Sequence, residues 1–187
     1  ALIGADSDDD NGSSSGSAYI FVRSGTSWSQ QAKLLASDGI NNANFGSVVS
    51  LDSDTALIGA FRDSDNGGLS GSAYVFVRSG ASWSQQAKLL ASDGAVSDLF
   101  GYSVAIDGDT ALIGAYQDDD SGDNSGSAFV FVRNGTNWTQ EAKLVASDGA
   151  ATDYFGRSVA VAGDTALVGS YSDDDNGSAS GSAYVFV

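Results

Sequence analysis

The chain has 187 residues, 42% of them hydrophobic, and a formal net charge of −16. That length supports one sizeable core, and the charge disfavours nucleic acid or an anionic membrane as partners, because each phosphate contact would meet repulsion. Cysteine, histidine, methionine and proline are all absent, which excludes disulfides, thiolate metal centres and histidine acid–base chemistry. No apolar run approaches the roughly 20 residues of a membrane helix.

In chain order, "ALIGA" from Ala1 reads as a strand, followed by an acidic loop rich in serine and glycine. "SAYIFV" from Ser17 is apolar at consecutive positions, as a strand covered on both faces should be. "WSQQAKLLA" from Trp28 alternates more and carries the polar residues of an outer strand. "FGSVVSL" from Phe45 then leads through a short turn into "TALIGA" from Thr55, and the series starts again.

The period is 55 residues. "GSAYIFV", "GSAYVFV", "GSAFVFV" and "GSAYVFV" begin at Gly16, Gly71, Gly126 and Gly181. In the third copy the spacing predicts strands over Phe100–Ile106, Thr110–Ala115, Ser127–Val132 and Trp138–Ala146. Its first strand places Gly101, Ser103 and Ala105 where crowding near a central axis would require small side chains. Four antiparallel strands per repeat, apolar inside and polar outside, describe a blade of an all-β propeller; a β-solenoid is the alternative, with shorter coils and fewer hairpin turns. The blades divide as 1–44 (partial), 45–99, 100–154 and 155–187 (partial), about three and a half in all. The two partial blades duplicate strands two and three, so the array is expected to be completed by further repeats or by another copy of the chain.

The Phe-Gly steps, "ALIGA" and "SGSAYVFV" together resemble the FG-GAP repeat, the blade unit of integrin α-subunit propellers, in its short bacterial-type form. The resemblance runs the whole chain and implies a propeller with an adhesion or ligand-recognition role outside the cell or at its surface. The family's proline position is taken by Asp6, Phe61, Tyr116 and Tyr171. Its calcium loop between strands one and two has no counterpart, since that connection is only "LDSDT", "IDGDT" or "VAGDT".

The acidic residues gather elsewhere, in the loop between strands two and three. Asp8, Asp63, Asp118 and Asp173 coincide across the copies, as do Asp10, Asp65, Asp120 and Asp175. The position between them is Asp9, Ser64, Asp119 or Asp174, and the shared pattern is D-x-D-[N/S]-G. Carboxylates at i and i+2 in a glycine-bent loop can converge on one point, as two EF-hand ligands do, so these eight aspartates are candidate calcium ligands. The other reading is a solvated Asp/Asn/Gly turn that favours solubility. Because strands alternate in direction, Asp123, Asp148 and Asp153 are expected on the same face, making it strongly acidic.

Trp28, Trp83 and Trp138 are expected to pack between blades, and Lys33, Lys88 and Lys143 to be paired or solvated. Asn11, Asn134, Asn137 and Asn176 lie in N-x-[S/T] sequons and are glycan acceptors only in a glycosylating secretory route. Identical acids in every copy lack the unlike environments that separate an acid from a base, so no enzyme activity is expected. The partners expected are a protein or carbohydrate ligand on the acidic face, with no nucleic acid and no membrane insertion. Two other roles fit the repeats: a building unit of a surface layer, sheath or filament, and an accessory propeller attached to an enzyme domain.

Overall fold

Period-two patterning and short glycine turns leave little room for helices, and the computed structural model, which describes residues 1–187, contains fourteen strands and no helix. The strands are β1 (Leu2–Ala5), β2 (Ser17–Ser24), β3 (Ser27–Leu34), β4 (Val48–Asp52), β5 (Thr55–Ala60), β6 (Ser72–Ser79) and β7 (Ser82–Leu89). They continue as β8 (Ser103–Asp107), β9 (Thr110–Ala115), β10 (Ser127–Asn134), β11 (Asn137–Leu144), β12 (Phe155–Ala162), β13 (Thr165–Ser170) and β14 (Ser182–Phe186). Four antiparallel sheets result, ordered β1-β2-β3, β4-β5-β6-β7, β8-β9-β10-β11 and β12-β13-β14. They are the blades of a β-propeller.

The second strand of each of the two middle blades is sandwiched, so successive side chains enter different cores. Leu57 of β5 lies in the core between the second and third sheets, while Ile58 lies in the core between the first and second. Leu112 and Ile113 of β9 divide in the same way. All four are fully buried, and each such side chain contributes on the order of 1.5–3 kcal/mol by leaving water.

The first strand starts later than its sequence predicts. Phe100 and Gly101 precede β8, and Phe100 forms a parallel bridge with Gly71 of the previous repeat. Its amide donates to the Ser70 carbonyl at 2.9 Å, and its fully buried ring stands edge-on to Phe129 and Phe131 of its own sheet. Phe45 and Phe155 repeat the arrangement. The glycine that follows is obligatory. Gly101 has φ +86°, and a Cβ there would overlap the Ser72 carbonyl oxygen. Only in the last blade does strand assignment reach the phenylalanine, with a register break between Phe155 and Ser158.

Gly101→Ala should therefore cost about 1–3 kcal/mol from backbone conformation alone, plus the overlap with Ser72. Gly80→Ala is the control: its φ is +64°, but nothing lies within 4 Å of the added methyl. Thermal melts of the two variants should separate, with Gly101→Ala clearly the less stable.

Candidate functional site

Each D-x-D segment leaves its second strand and folds back on itself. Between β9 and β10, the Asp118 amide donates to Ala115, the Gly122 amide to Asp119, and the Gly126 amide to Asp118 at 2.8 Å. The middle acid caps the loop, since Asp119 Oδ1 accepts from the Asn124 amide at 2.7 Å. Asp9 does the same for Ser14, and Ser64 Oγ does it for Leu69. Serine can stand at this position because one acceptor oxygen is all the position requires. The asparagine after the motif ties the loop to the connection leading into the next blade: Asn11 Nδ2 donates to Ala36 O and Asn66 Nδ2 to Ala91 O.

The outer two acids do converge on a point, and a lysine from the fourth strand stands there. Lys88 Nζ lies 2.8 Å from Asp63, 2.5 Å from Asp65 and 2.7 Å from Asp38 of the preceding connection. Lys143 holds Asp118, Asp120 and Asp93 at 2.9, 2.5 and 2.8 Å. Lys33 pairs with Asp8 and Asp10. A tyrosine on the third strand completes the set where one is present: Tyr74 donates to Asp63 and Asp38, and Tyr19 to Asp8. Phe129 stands in the third repeat, where Ser127 Oγ donates to Asp118 as Ser17 Oγ does to Asp8.

Asp63 is 2% exposed and Asp118 3%, so in these repeats the first acid of the motif is buried rather than solvated, whereas Asp8 is half-buried. Burial alone would raise the Asp63 pKa, yet the bonds from Lys88 and Tyr74 hold it below the ordinary carboxylate value. Asp8 is held low by Lys33, Tyr19 and Ser17. Burial works against the charge on Lys88 and Lys143, and the surrounding carboxylates outweigh it and raise both pKa values. The fourth repeat differs. Asp173 accepts from Tyr184, which also donates to Asp148, but no lysine reaches this loop. Asp173 and Asp148 accordingly push the Asp175 pKa up. No group of three or more carboxylates is arranged to hold a metal ion.

The face is less acidic than a count of its residues implies. Asp98 and Asp153 are buried and accept from the amides of Ala95 and Ala150; burial raises the Asp98 pKa. The residues after the second strands and around the Phe-Gly steps form an aromatic chain that sequence reading missed. Phe61, Tyr102, Tyr116 and Tyr154 follow one another at centroid separations of 5.4, 4.4 and 5.7 Å. The Arg157 guanidinium sits 5.0–5.1 Å from the rings of Tyr102, Tyr116 and Tyr171. The signal was present in the residues after "ALIGA" and after "FG", but only the packing of neighbouring blades brings the two positions together.

On the opposite face Arg78 and Arg133 pair with Asp54 and Asp109. The tryptophans link blades: Trp83 Nε1 donates to Gln31 and Trp138 Nε1 to Gln86, at 3.0 and 2.9 Å. Trp28, in the first sheet, is 54% exposed. Of the sequon asparagines, Asn134 and Asn137 stand exposed as the paired ends of β10 and β11, and Asn176 in the last acidic loop. Asn11 is engaged with Ala36.

Fold and loops together define a repeat-built propeller module. The FG-GAP repeat model matches residues 28–76, 83–131 and 138–186, most of the chain, and the protein belongs to that family. Each matched segment begins at the tryptophan of a fourth strand and ends in the third strand of the next blade, so the sequence unit straddles two sheets. No curated protein matches the chain.

Removing Lys88 leaves Asp63 buried with its charge uncompensated, and Lys88→Met should cost about 3–5 kcal/mol. The depressed Asp63 and Asp8 pKa values contribute stability above their unfolded value of 3.8 that is lost as pH falls through the folded values. The raised Lys88 pKa contributes stability present below 10.5 and lost as pH rises through its folded value. Melting temperature should fall in acid below about pH 4 and again in strong alkali, and Lys88→Met should lose the alkaline fall attributable to this group.

Proposed function

We propose that the chain is a non-enzymatic recognition module that presents its D-x-D loop face to a protein or carbohydrate ligand, outside the cell or at its surface. The observation that carries this reading is the aromatic chain with Arg157. The guanidinium is stacked on tyrosines rather than spent on a carboxylate, in a chain with 24 acids and 8 bases. Tyrosine rings offer broad contact at low entropic cost, and arginine adds directional donors. The recurring aspartates face lysines in like environments, which supports binding rather than acid–base chemistry. A screen of glycans and surface proteins should yield a ligand whose binding falls about tenfold or more in Tyr116→Ala or Arg157→Ala. Retention of full affinity by both variants would reject this face.

Calcium enters this proposal as a stabiliser of the D-x-D loops. In three repeats it competes with an ammonium already between the two carboxylates, and Asp173–Asp175 is the loop without that competitor. Calcium at about a hundredfold over its dissociation constant should add about 2.7 kcal/mol of stability. Asp173→Asn with Asp175→Asn should abolish the gain. A melting curve unmoved by calcium assigns the loops to lysine alone.

A further inference from the structure

Eight steps in the chain join an asparagine or aspartate to a glycine. Glycine has no Cβ to shield its backbone nitrogen, so that nitrogen can reach the preceding side-chain carbonyl and close a five-membered ring. The attack needs an amide free to lose its proton. Seven of the eight steps deny it. The amides of Gly12, Gly67 and Gly177, which follow Asn11, Asn66 and Asn176, donate to the carbonyls of Asp9, Ser64 and Asp174 at 3.1, 3.3 and 2.9 Å. In the Asp-Gly steps, the amides of Gly39, Gly94 and Gly149 donate to the alanine carbonyl three residues back, and that of Gly108 to Asp52 Oδ2.

Gly135 is the exception, for its amide donates to no acceptor in the protein. It follows Asn134 in the β10–β11 turn, where Asn134 and Asn137 are the closing pair of the hairpin. Its φ is +65°, and nothing lies within 4 Å of the place a Cβ would take. Asn11 and Asn66 differ on the side-chain half of the reaction as well. Their Nδ2 atoms are tied to Ala36 and Ala91, and their own amides donate to Ser15 and Ser70 Oγ, so neither carboxamide is free to turn toward the chain. The open step belongs to one blade, because Ser24-Gly25 and Ser79-Gly80 make the same turn in the first two.

We propose that Asn134-Gly135 is a site of spontaneous covalent modification, at which the folded chain converts this asparagine amide to an acid ahead of its other Asn-Gly steps. Hydroxide takes the Gly135 amide proton, and the nitrogen attacks Cγ of Asn134. The N–Cγ bond forms as the Cγ–Nδ2 bond breaks. Nδ2 takes a proton from water and leaves as ammonia, which returns the hydroxide. Water then opens the ring at either carbonyl and gives aspartate or isoaspartate, with no change of oxidation state. Either product adds one carboxylate to a chain of net charge −16, next to Arg133, whose guanidinium already holds Asp109. Isoaspartate also lengthens the main chain by a methylene at the closing pair of the hairpin. A glycan on Asn134 would occupy the same Nδ2, so the two modifications exclude one another.

The test is a time course on the chain made in a host without N-glycosylation. The folded protein is held in mildly alkaline buffer below its melting temperature, and samples are mapped by proteolysis and mass spectrometry. Asn134 should convert to two acid-containing peptides, aspartyl and isoaspartyl, at least about tenfold faster than Asn11, Asn66 or Asn176, whose glycine amides must first break a hydrogen bond. In denaturant those bonds are gone, and all four asparagines should convert at similar rates. Gly135→Ala has room for its methyl; with folding checked by a thermal melt, it should slow the Asn134 conversion. Conversion of Asn134 no faster than of the other three in the folded chain overturns the proposal. So does an unchanged rate in Gly135→Ala, or an aspartyl product without isoaspartate, since either means direct hydrolysis rather than ring closure.

Discussion

Each blade is held to the one before it by a phenylalanine and glycine that do opposite things. The phenylalanine side chain packs edge-on into its own sheet, while its backbone amide bonds to the preceding repeat. The glycine then turns the chain through a positive φ in a space with no room for a Cβ, as the Ser72 carbonyl beside Gly101 shows. Main chain thereby meets main chain at the inner end of the blades, Gly59 against Gly101 and Gly114 against Gly156. The rest of the architecture follows from that close approach. It sets the pitch between sheets, and so creates the three apolar layers that "ALIGA" and "SAYVFV" fill from both sides.

The acidic loops sit above those layers and solve a different problem. Two carboxylates two residues apart would repel, and one of them is buried, where an unpaired charge costs most. The fold answers with an ammonium carried on the polar outer strand, so a residue that reads as surface decoration on an edge strand becomes the counter-charge of a buried site. Because Lys88 and Lys143 also reach an aspartate of the preceding connection, the same cation joins blades as well as neutralising a loop. Charge and packing are thus coupled: the lysine reaches the loop only if β7 or β11 is in register, and the register includes a bulge that aims Gln86 or Glu141 toward the following blade.

Internal use of so many carboxylates changes what the loop face offers a ligand. In the first three repeats its recurring aspartates are committed to lysine, tyrosine, serine or backbone partners, and the acids at Asp98 and Asp153 are buried. The groups without a carboxylate partner are the half-buried rings of Phe61, Tyr102, Tyr116 and Tyr154, the exposed Tyr171 and the half-buried Arg157. These positions differ from blade to blade: Asp6, Phe61, Tyr116 and Tyr171 after the second strand, and Ser47, Tyr102 and Arg157 after the Phe-Gly step. A scaffold repeated with little change therefore carries an unrepeated surface, which is where selectivity for a partner can reside.

The sequence by itself determined the blade. A 55-residue period, period-two strands and Asp-Gly or Asn-Gly turns specify local pairing, because hairpins depend on contacts between residues close in the chain. β9 and the start of β10 accordingly match their predicted bounds, and the tryptophans Trp83 and Trp138 lie between blades as the recurrence implies. Tertiary structure alone decided what the recurring spacing of charges means. Asp63 and Lys88 are 25 residues apart in the chain, and Asp38 lies 50 residues from that lysine; only sheet order and blade stacking bring them together. The delayed start of β8 has the same origin, since Phe100 bonds to a neighbouring repeat that no local propensity describes. Pairing within a blade is written in local pattern, whereas the burial of a charge depends on which distant backbone arrives to cover it.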